Sequence, residues 1–298
     1  MIAFTNRVAH LDLDGAWDRR GLAIPTIDAR EWGPRLRFSA RASEVERFRT
    51  EIGDDLPFFL VFGSGDFHHL TAIWLRRLAR LTTVVSFDNH PDWDRRPPRW
   101  CCGGWVNRAL ELPQIEKVSV WGCGNFECWW PAQVTGNRQA ERTGRLEVHP
   151  WADDGDARQR ARRGAILRSN WRAKFADFCA TLGGADVYVT IDLDCLRPEE
   201  AVTNWENGQF TLEDLAWALE SLGATNSIVA GDICGAWSRP RYARWTQRFA
   251  SEFDHPKLSL PEPEERRKRN ENALKRLLPA LTDRDENHPR ADQERSDG

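Results

Sequence analysis

The strongest constraint on this chain is a succession of short, almost wholly apolar runs separated by longer segments of helical periodicity. LPFFLVFG (56–63), TTVVSFD (82–88), VSVWGCG (118–124), DVYVTID (186–192) and SIVAGDIC (227–234) each read as a strand buried on both faces. Apolar residues at helical spacing predict helices over 68–81, over roughly 156–182 and over 211–222. The last has Thr211 as a plausible N-cap, with Asp214 at the capping-box position. Strands that are apolar throughout need cover on both sides, and alternation with helices supplies it. The expectation is an α/β chain, a three-layer αβα sandwich around a mostly parallel sheet. From Pro261 onward the chain is dominated by Glu, Asp, Arg and Lys. There the pattern predicts a short amphipathic helix over 271–281 and disorder beyond it, which sets a core domain of residues 1–260 against a charged tail of 261–298.

Composition narrows the function. The 298 residues carry a net charge of −3, so no overall basic field draws nucleic acid or an anionic membrane. No apolar run approaches the ~18 residues that span a bilayer. The first residues, MIAFTNRVAHLDLDG, carry charges where a signal peptide needs an apolar stretch. Seven cysteines, an odd number in a chain too large to need disulfide staples, fit free thiols in a reducing cytoplasm. A soluble cytoplasmic enzyme or binding protein is expected.

Polar residues gather where the apolar runs stop. The first run leads into Gly63-Ser64-Gly65-Asp66-Phe67-His68-His69, the second into Asp88-Asn89-His90-Pro91-Asp92, and the fourth into Asp192-Leu193-Asp194. Carboxyl ends of strands in an open parallel sheet line the ligand crevice, so these clusters can converge. At an extended strand end Asp88, His90 and Asp92 point to one side, as do Asp192 and Asp194. With His68 that makes four carboxylates and two imidazoles. Crowded carboxylates repel one another unless cations neutralise them. A set richer in carboxylate than imidazole, without thiolate, suits a hard six-coordinate ion such as Mn²⁺ better than Zn²⁺. Two such ions sharing carboxylates sit roughly 3.5–4 Å apart. Either aspartate pair alone is a weak signal; the combination is specific.

These residues resemble the motifs of the ureohydrolase superfamily of arginases and agmatinases. Gly65-Asp66-Phe67-His68 stands for its Gly-Gly-Asp-His, Asp88-Asn89-His90-Pro91-Asp92 for its Asp-Ala-His-x-Asp, and Thr190-Ile191-Asp192-Leu193-Asp194-Cys195-Leu196-Arg197-Pro198 for its Ser-x-Asp-x-Asp-x-x-Asp-Pro. The resemblance covers about residues 55–255 and implies an arginase-like αβα fold with a binuclear manganese site. It implies that Asp88, Asp92 and Asp192 bridge two Mn²⁺ ions, that His68 completes one shell, and that His90 and Asp194 complete the other. It further implies hydroxide attack on a guanidinium carbon with release of urea, and a possible homo-oligomer, since family members are often trimers or hexamers.

The departures point away from free arginine. One extra residue follows Asp66, which leaves His68 or His69 as the ligand, with His68 preferred by position. Arg197 replaces the third aspartate of the last motif. The loop from Trp93 to Trp105 lacks the arginase clamp for α-amino and α-carboxyl groups. The family's guanidinium-pairing glutamate falls at Gly235, which leaves Asp232 as the nearby acid, either as substrate partner or as an outer-shell residue. Fifteen tryptophans in the chain, with Trp93, Trp100, Trp105, Trp121, Trp129 and Trp130 in loops at the expected site, suggest aromatic walls. The expected catalytic residues are then Asp92 and Asp232, and the expected substrate contacts Asp232, Trp93, Trp100 and Trp105. The divergent loops resemble the peptide arginases, which convert arginine within a peptide to ornithine; a small free guanidino compound is the alternative substrate. Rival readings are a metal-dependent amide deacetylase, which needs a tyrosine (here Tyr188 or Tyr242), and a non-catalytic metal-binding module. His10-Leu11-Asp12-Leu13-Asp14-Gly15 weakly resembles a dehalogenase-type phosphatase motif. Cys101, Cys102, Cys123 and Cys128 match no zinc-site spacing.

Overall fold

A computed structural model of the chain describes residues 7–19, 21–53 and 55–282. Eight strands form one sheet: β1 (Val8–Asp12), β2 (Thr26–Asp28), β3 (Phe59–Phe62), β4 (Thr82–Phe87), β5 (Ile115–Cys123), β6 (Leu146–Pro150), β7 (Asp186–Asp192) and β8 (Ser227–Cys234). Their order is β2-β1-β3-β8-β7-β4-β5-β6, and every pairing is parallel. Alternate side chains feed two separate cores. Leu60 and Phe62 of β3 and Tyr188 of β7 enter one; Phe59 and Val61, with Val187, Val189 and Ile191, enter the other. That is why these strands read as continuous apolar runs.

Among the described residues are five helices of ten or more residues: α1 (Ala42–Ile52), α2 (Trp171–Thr181), α3 (Leu212–Thr225), α4 (Trp245–Asp254) and α5 (Pro263–Thr282). Helix α4 is bonded to the segment from Arg35 to Glu44, and the other four flank the sheet. Val45 and Phe48 of α1 pack with Leu60 and Phe62 on one face. Phe175 of α2, Leu219 of α3 and Leu277 of α5 pack with Val61 and Val189 on the other. The expected capping box of α3 is present, with reciprocal bonds of 3.1 Å between Thr211 and Asp214.

Several elements differ from the sequence expectation. The helix expected over 68–81 is a chain of short turns, Gly65–Leu70, Thr71–Trp74 and Leu75–Arg77. The pattern over 156–182 breaks between Ala157–Arg160 and α2. Gly164 lies in the break at φ +84, where a Cβ would stand 2.3 Å from the Val148 carbonyl oxygen. Strand β6 escaped notice because it alternates, with Leu146 and Val148 buried between less buried Glu147 and His149. The expected short helix over 271–281 is the end of the longer α5. Leu274, Leu277, Leu278 and Leu281 join the core, and Asn270 pairs with both the N–H and the carbonyl of Val202 at 2.8 Å. The disordered stretch expected beyond Thr282 lies outside the described residues. Among the described residues no helix is long and apolar enough to cross a membrane.

Candidate metal centre

Strands β3, β8, β7 and β4 are neighbours at the middle of the sheet. The chain leaves β3 for short helical turns and returns to the sheet only at β4, with two strands between, so a crevice opens above their carboxyl ends. The turn after β3 brings in His68, the loop after β4 brings Asp88, His90 and Asp92, and the end of β7 brings Asp192 and Asp194. All six are buried or nearly so. His68 Nδ1 lies 3.1 Å from Asp88 Oδ2, 3.2 Å from Asp92 Oδ2 and 3.6 Å from Asp192 Oδ2. His90 Nδ1 lies 2.9 Å from Asp194 Oδ2 and 3.6 Å from Asp88 Oδ1. Two ligand groups result, His68/Asp88/Asp92 and Asp88/His90/Asp194, with Asp88 common to both. Asp92, expected as a bridge, belongs only to the His68 group. A third grouping sets Cys234 beside His68 and Asp192, a neighbour the sequence reading did not include. His69 is buried outside these groups, and burial lowers its ring pKa to about 3.

The backbone fixes these side chains. The Asn89 amide donates to Asp194 at 3.0 Å, the His90 amide to Asp88 at 2.7 Å, and the Asp194 amide to Asp192 at 3.0 Å. Asp92 adopts φ 44, in the left-handed region, and Trp105 Nε1 donates to its Oδ2 at 2.7 Å. Two glycines pinch Asp192. A Cβ on Gly65 would stand 2.6 Å from its Oδ2, and one on Gly235, at φ +100, would stand 2.1 Å from its Oδ1. The position where the resemblance places a glutamate therefore has no room for a side chain.

Burial and crowding set the protonation balance of the cluster. Burial, reinforced by the charge of Asp88, pushes Asp92 up to about 7, and burial pushes Asp194 up to about 6. Burial opposes the charged form of His68, yet Asp88 and Asp92 hold its pKa well above the ordinary value. Thr190 Oγ1 spends its single hydrogen on Asp232 Oδ1 at 2.6 Å, so it accepts from His68 Nε2 at 2.9 Å. In the neutral form that a metal ligand requires, His68 would turn the Nδ1 lone pair towards three carboxylates, and neither Nδ1 nor Asp88 Oδ2 has a hydrogen-bond partner. A cation between them resolves that repulsion, and the oxygen-rich donor set fits a hard divalent ion.

Asp232 is not a substrate contact. It is fully buried and accepts three hydroxyl hydrogen bonds, from Thr71 at 2.9 Å, Tyr188 at 2.5 Å and Thr190 at 2.6 Å. Its place is behind His68, as the orienting carboxylate reached through Thr190. Nor do Trp93, Trp100 and Trp105 wall a substrate site. All three are core residues: Trp93 packs on Gly136, Trp100 lies under Arg76, and Trp105 holds Asp92. The loop folds back on the sheet, and burying indole area stabilises it there. Tyr188 is committed to Asp232 and Tyr242 to Ser251, so neither lies free for a deacetylase-like role. Asp12 and Asp14 pair with Arg19, Arg30 and Arg37 as structural acids.

The cavity above the cluster, about 60 Å³, has a different rim from the one expected. Among the described residues it is lined by Phe126, Glu127, Trp205, Glu206 and Asp254, together with residues of the cluster and Gly65, Cys102, Gly103 and Asn125, and by no lysine or arginine. Burial raises the pKa of Glu127 and Asp254, whereas the bond to His90 lowers that of Glu206. Glu206 Oε2 lies 3.4 Å from His90 Nε2. Below the rim Asp66 is held by Arg37 at 2.7 Å and His255 at 2.8 Å, and these cations keep its carboxyl low against burial. His255 stacks on Trp205 with ring centroids 4.2 Å apart.

The sheet order and the crevice define an arginase-like αβα protein. The solved structures that resemble it carry the same fold. A formimidoylglutamase from Bacillus subtilis superposes with a TM-score of 0.54 at 12% identity, covering 92% of this chain and 86% of that one. Proclavaminate amidino hydrolase from Streptomyces clavuligerus gives 0.53 at 15% identity, with 93% and 92% covered. An arginase from Medicago truncatula gives 0.51 at 14% identity, with 92% and 86% covered. At these identities the likeness is one of fold. In sequence, an uncharacterised protein of Thermotoga maritima is 30% identical over 188 residues, which span 62% of this chain and 62% of that protein. No family model matches the chain.

Proposed function

We propose that the protein is a binuclear, manganese-dependent hydrolase of a guanidino group, and that its substrate is an arginine side chain within a peptide, converted to ornithine with release of urea. One observation carries the reading: four buried carboxylates and two imidazoles meet above the central strands of an arginase-like sheet, beneath a narrow mouth lined with acids. His68, Asp88, Asp92 and Asp192 would hold one ion, and Asp88, His90 and Asp194 the other. Two divalent cations bound there would supply the Lewis acidity and the activated water that attack on a guanidino carbon requires. The chain's own residues do the rest. Thr190 and Asp232 orient His68, Glu206 steadies His90, and the charges of Glu127, Glu206 and Asp254 draw a cationic head into the mouth.

Substrate size and charge support the peptide. A cavity of about 60 Å³ is far below the 300–1,000 Å³ of typical ligand pockets, so only the head of a side chain enters and the body stays outside. A free amino acid would bring its α-carboxylate to a rim whose described lining residues include acids and no lysine or arginine, Arg96 acting on Glu127 and Asp254 from outside the lining while paired with Asp94. A peptide bond carries no such charge. The fold is also that of proteins named as an arginase and as an amidino hydrolase.

The test is to load purified protein with Mn²⁺ and measure bound metal and urea release. About two ions per chain are expected, with arginine-containing peptides turned over ~10-fold or more faster in kcat/KM than free arginine or agmatine. Metal binding without urea from any of these substrates would leave a non-catalytic metal module. Faster turnover of agmatine or free arginine would overturn the peptide assignment.

A further inference from the structure

Helix α4 is built inside out. Its buried face carries Gln247 and Ser251, while Trp245, Phe249 and Phe253, at positions i, i+4 and i+8, are 78%, 57% and 78% exposed. Polar bonds hold it in place. Gln247 Nε2 donates to the Arg37 and Ser39 carbonyls, Arg244 reaches Glu44 and the Ser39 carbonyl, and Ser251 bonds His255 and Tyr242. The aromatic stripe lies outside this set of anchoring bonds and is mostly exposed. Phe249 and Phe253 lie against each other, with ring centroids 4.8 Å apart. Eight residues of helix make a ridge about 12 Å long.

The ridge ends at the mouth of the cavity. Phe253 is followed by Asp254, which lines it, and Phe126, 68% exposed, lines the cavity beside Glu127. We propose that this ridge docks the substrate peptide, taking apolar residues that flank the arginine whose head enters the cavity. The inference rests on the peptide reading of the site given above. Its support is continuity and charge. An acidic mouth takes the cationic side chain, and the adjoining aromatics take what stands outside it. Area separates this occupant from a second copy of the chain. At 150–250 Å² per aromatic side chain the three expose roughly 300–500 Å², less than the ~800 Å² per partner of a stable protein–protein complex. A few apolar side chains of a short peptide would cover it.

The experiment compares two peptides on the Mn²⁺-loaded protein: one with leucine and phenylalanine flanking a single arginine, and one with serine at those flanking positions. Binding is measured by calorimetry and urea release separately, for the unaltered chain and for the double variant Trp245→Ala/Phe249→Ala. The unaltered chain should bind the apolar peptide at least 10-fold more tightly, and the variant should lose that preference while its melting temperature stays unchanged. The ridge proposal is overturned if both peptides bind equally, or if the variant keeps the preference. It is also overturned if the substitutions change the oligomeric state in sedimentation and leave peptide binding intact, which would make the ridge a contact between copies. Binding preference lost in the variant, with no urea from any peptide, would uphold the ridge and sink the hydrolase reading. Urea released equally well from both peptides by both proteins would do the reverse.

Discussion

Thr190→Val removes one hydroxyl from the chain of contacts behind His68 and changes almost no volume. In the native protein that hydroxyl donates to Asp232 and accepts from His68 Nε2, both within 2.9 Å and fully buried. Valine leaves the His68 N–H and one Asp232 oxygen without a partner. Each unsatisfied buried group costs about 1–3 kcal/mol, and Asp232 keeps its bonds from Tyr188 and Thr71. A loss of about 2–4 kcal/mol in unfolding free energy follows, measured by urea denaturation of the metal-free protein. His68 also loses the partner that fixes its ring, and residues in that position commonly carry 10–100-fold in metal affinity. Calorimetric titration with Mn²⁺ should show the ion beside His68 weakened by about that factor and the ion beside His90 nearly unchanged, because Thr190 touches only the first. Thr190→Ser, which restores the hydroxyl, should recover most of the affinity. The reasoning fails if both ions bind the valine variant as they bind the native chain, or if serine is no better than valine.

The ligand geometry makes a graded prediction for the aspartates. Asp88→Ala should abolish tight binding of both ions, since Asp88 belongs to both groups, whereas Asp92→Ala should weaken the His68-side ion alone; elemental analysis showing the same stoichiometry for both variants would contradict the sharing. The metal-free protein should also lose stability as pH rises. Asp92, near 7, and Asp194, near 6, hold protons in the folded state that they would release near 3.8 when unfolded, and His68 and His90 are raised as well. Raised groups stabilise at low pH and stop doing so as pH climbs through their folded values, so the melting temperature should fall between pH 5 and 8. Mn²⁺ should remove most of that slope, and a metal-free melting temperature that rises over this range would refute the sign.

The residues that cluster above the central strands were legible in the sequence because two local signals coincide at each. Apolar runs buried on both faces locate the strands, and acids or imidazoles at their carboxyl ends have few roles there besides holding a cation. Asp232 misled for the same reason: it is an acid at a strand end, yet it sits within β8, two residues before the strand stops. There the pleat turns it towards Thr71 and Tyr188 rather than into the crevice. The tryptophans misled because a loop rich in indole looks like an open binding surface until its fold-back is known. Nothing in Trp93 or Trp105 as letters distinguishes a wall from a core. Helix α5 hid behind its charges. Arg276 and Glu213 pair on its outer side while its leucines, spaced by three and four, fill the core.

The rim was illegible for a subtler reason, and it ties the substrate reading together. Phe126-Glu127, Trp205-Glu206 and Phe253-Asp254 are three aromatic–acid dipeptides from three distant segments, and each puts an acid at the same mouth. Individually each reads as an ordinary surface pair. Together they line one mouth, whereas position 235 has no room for a glutamate, because Asp192 fills the space any side chain on Gly235 would occupy. On the function proposed above, recognition of the cationic head would lie in these loops and not at the strand end. An acid on the strand would grip the guanidinium deep in the crevice and suit a small ligand enclosed whole. Acids at the rim, each beside an aromatic ring, would on that reading hold the head at the entrance, with apolar neighbours beside it. That arrangement suits a side chain presented by a longer body.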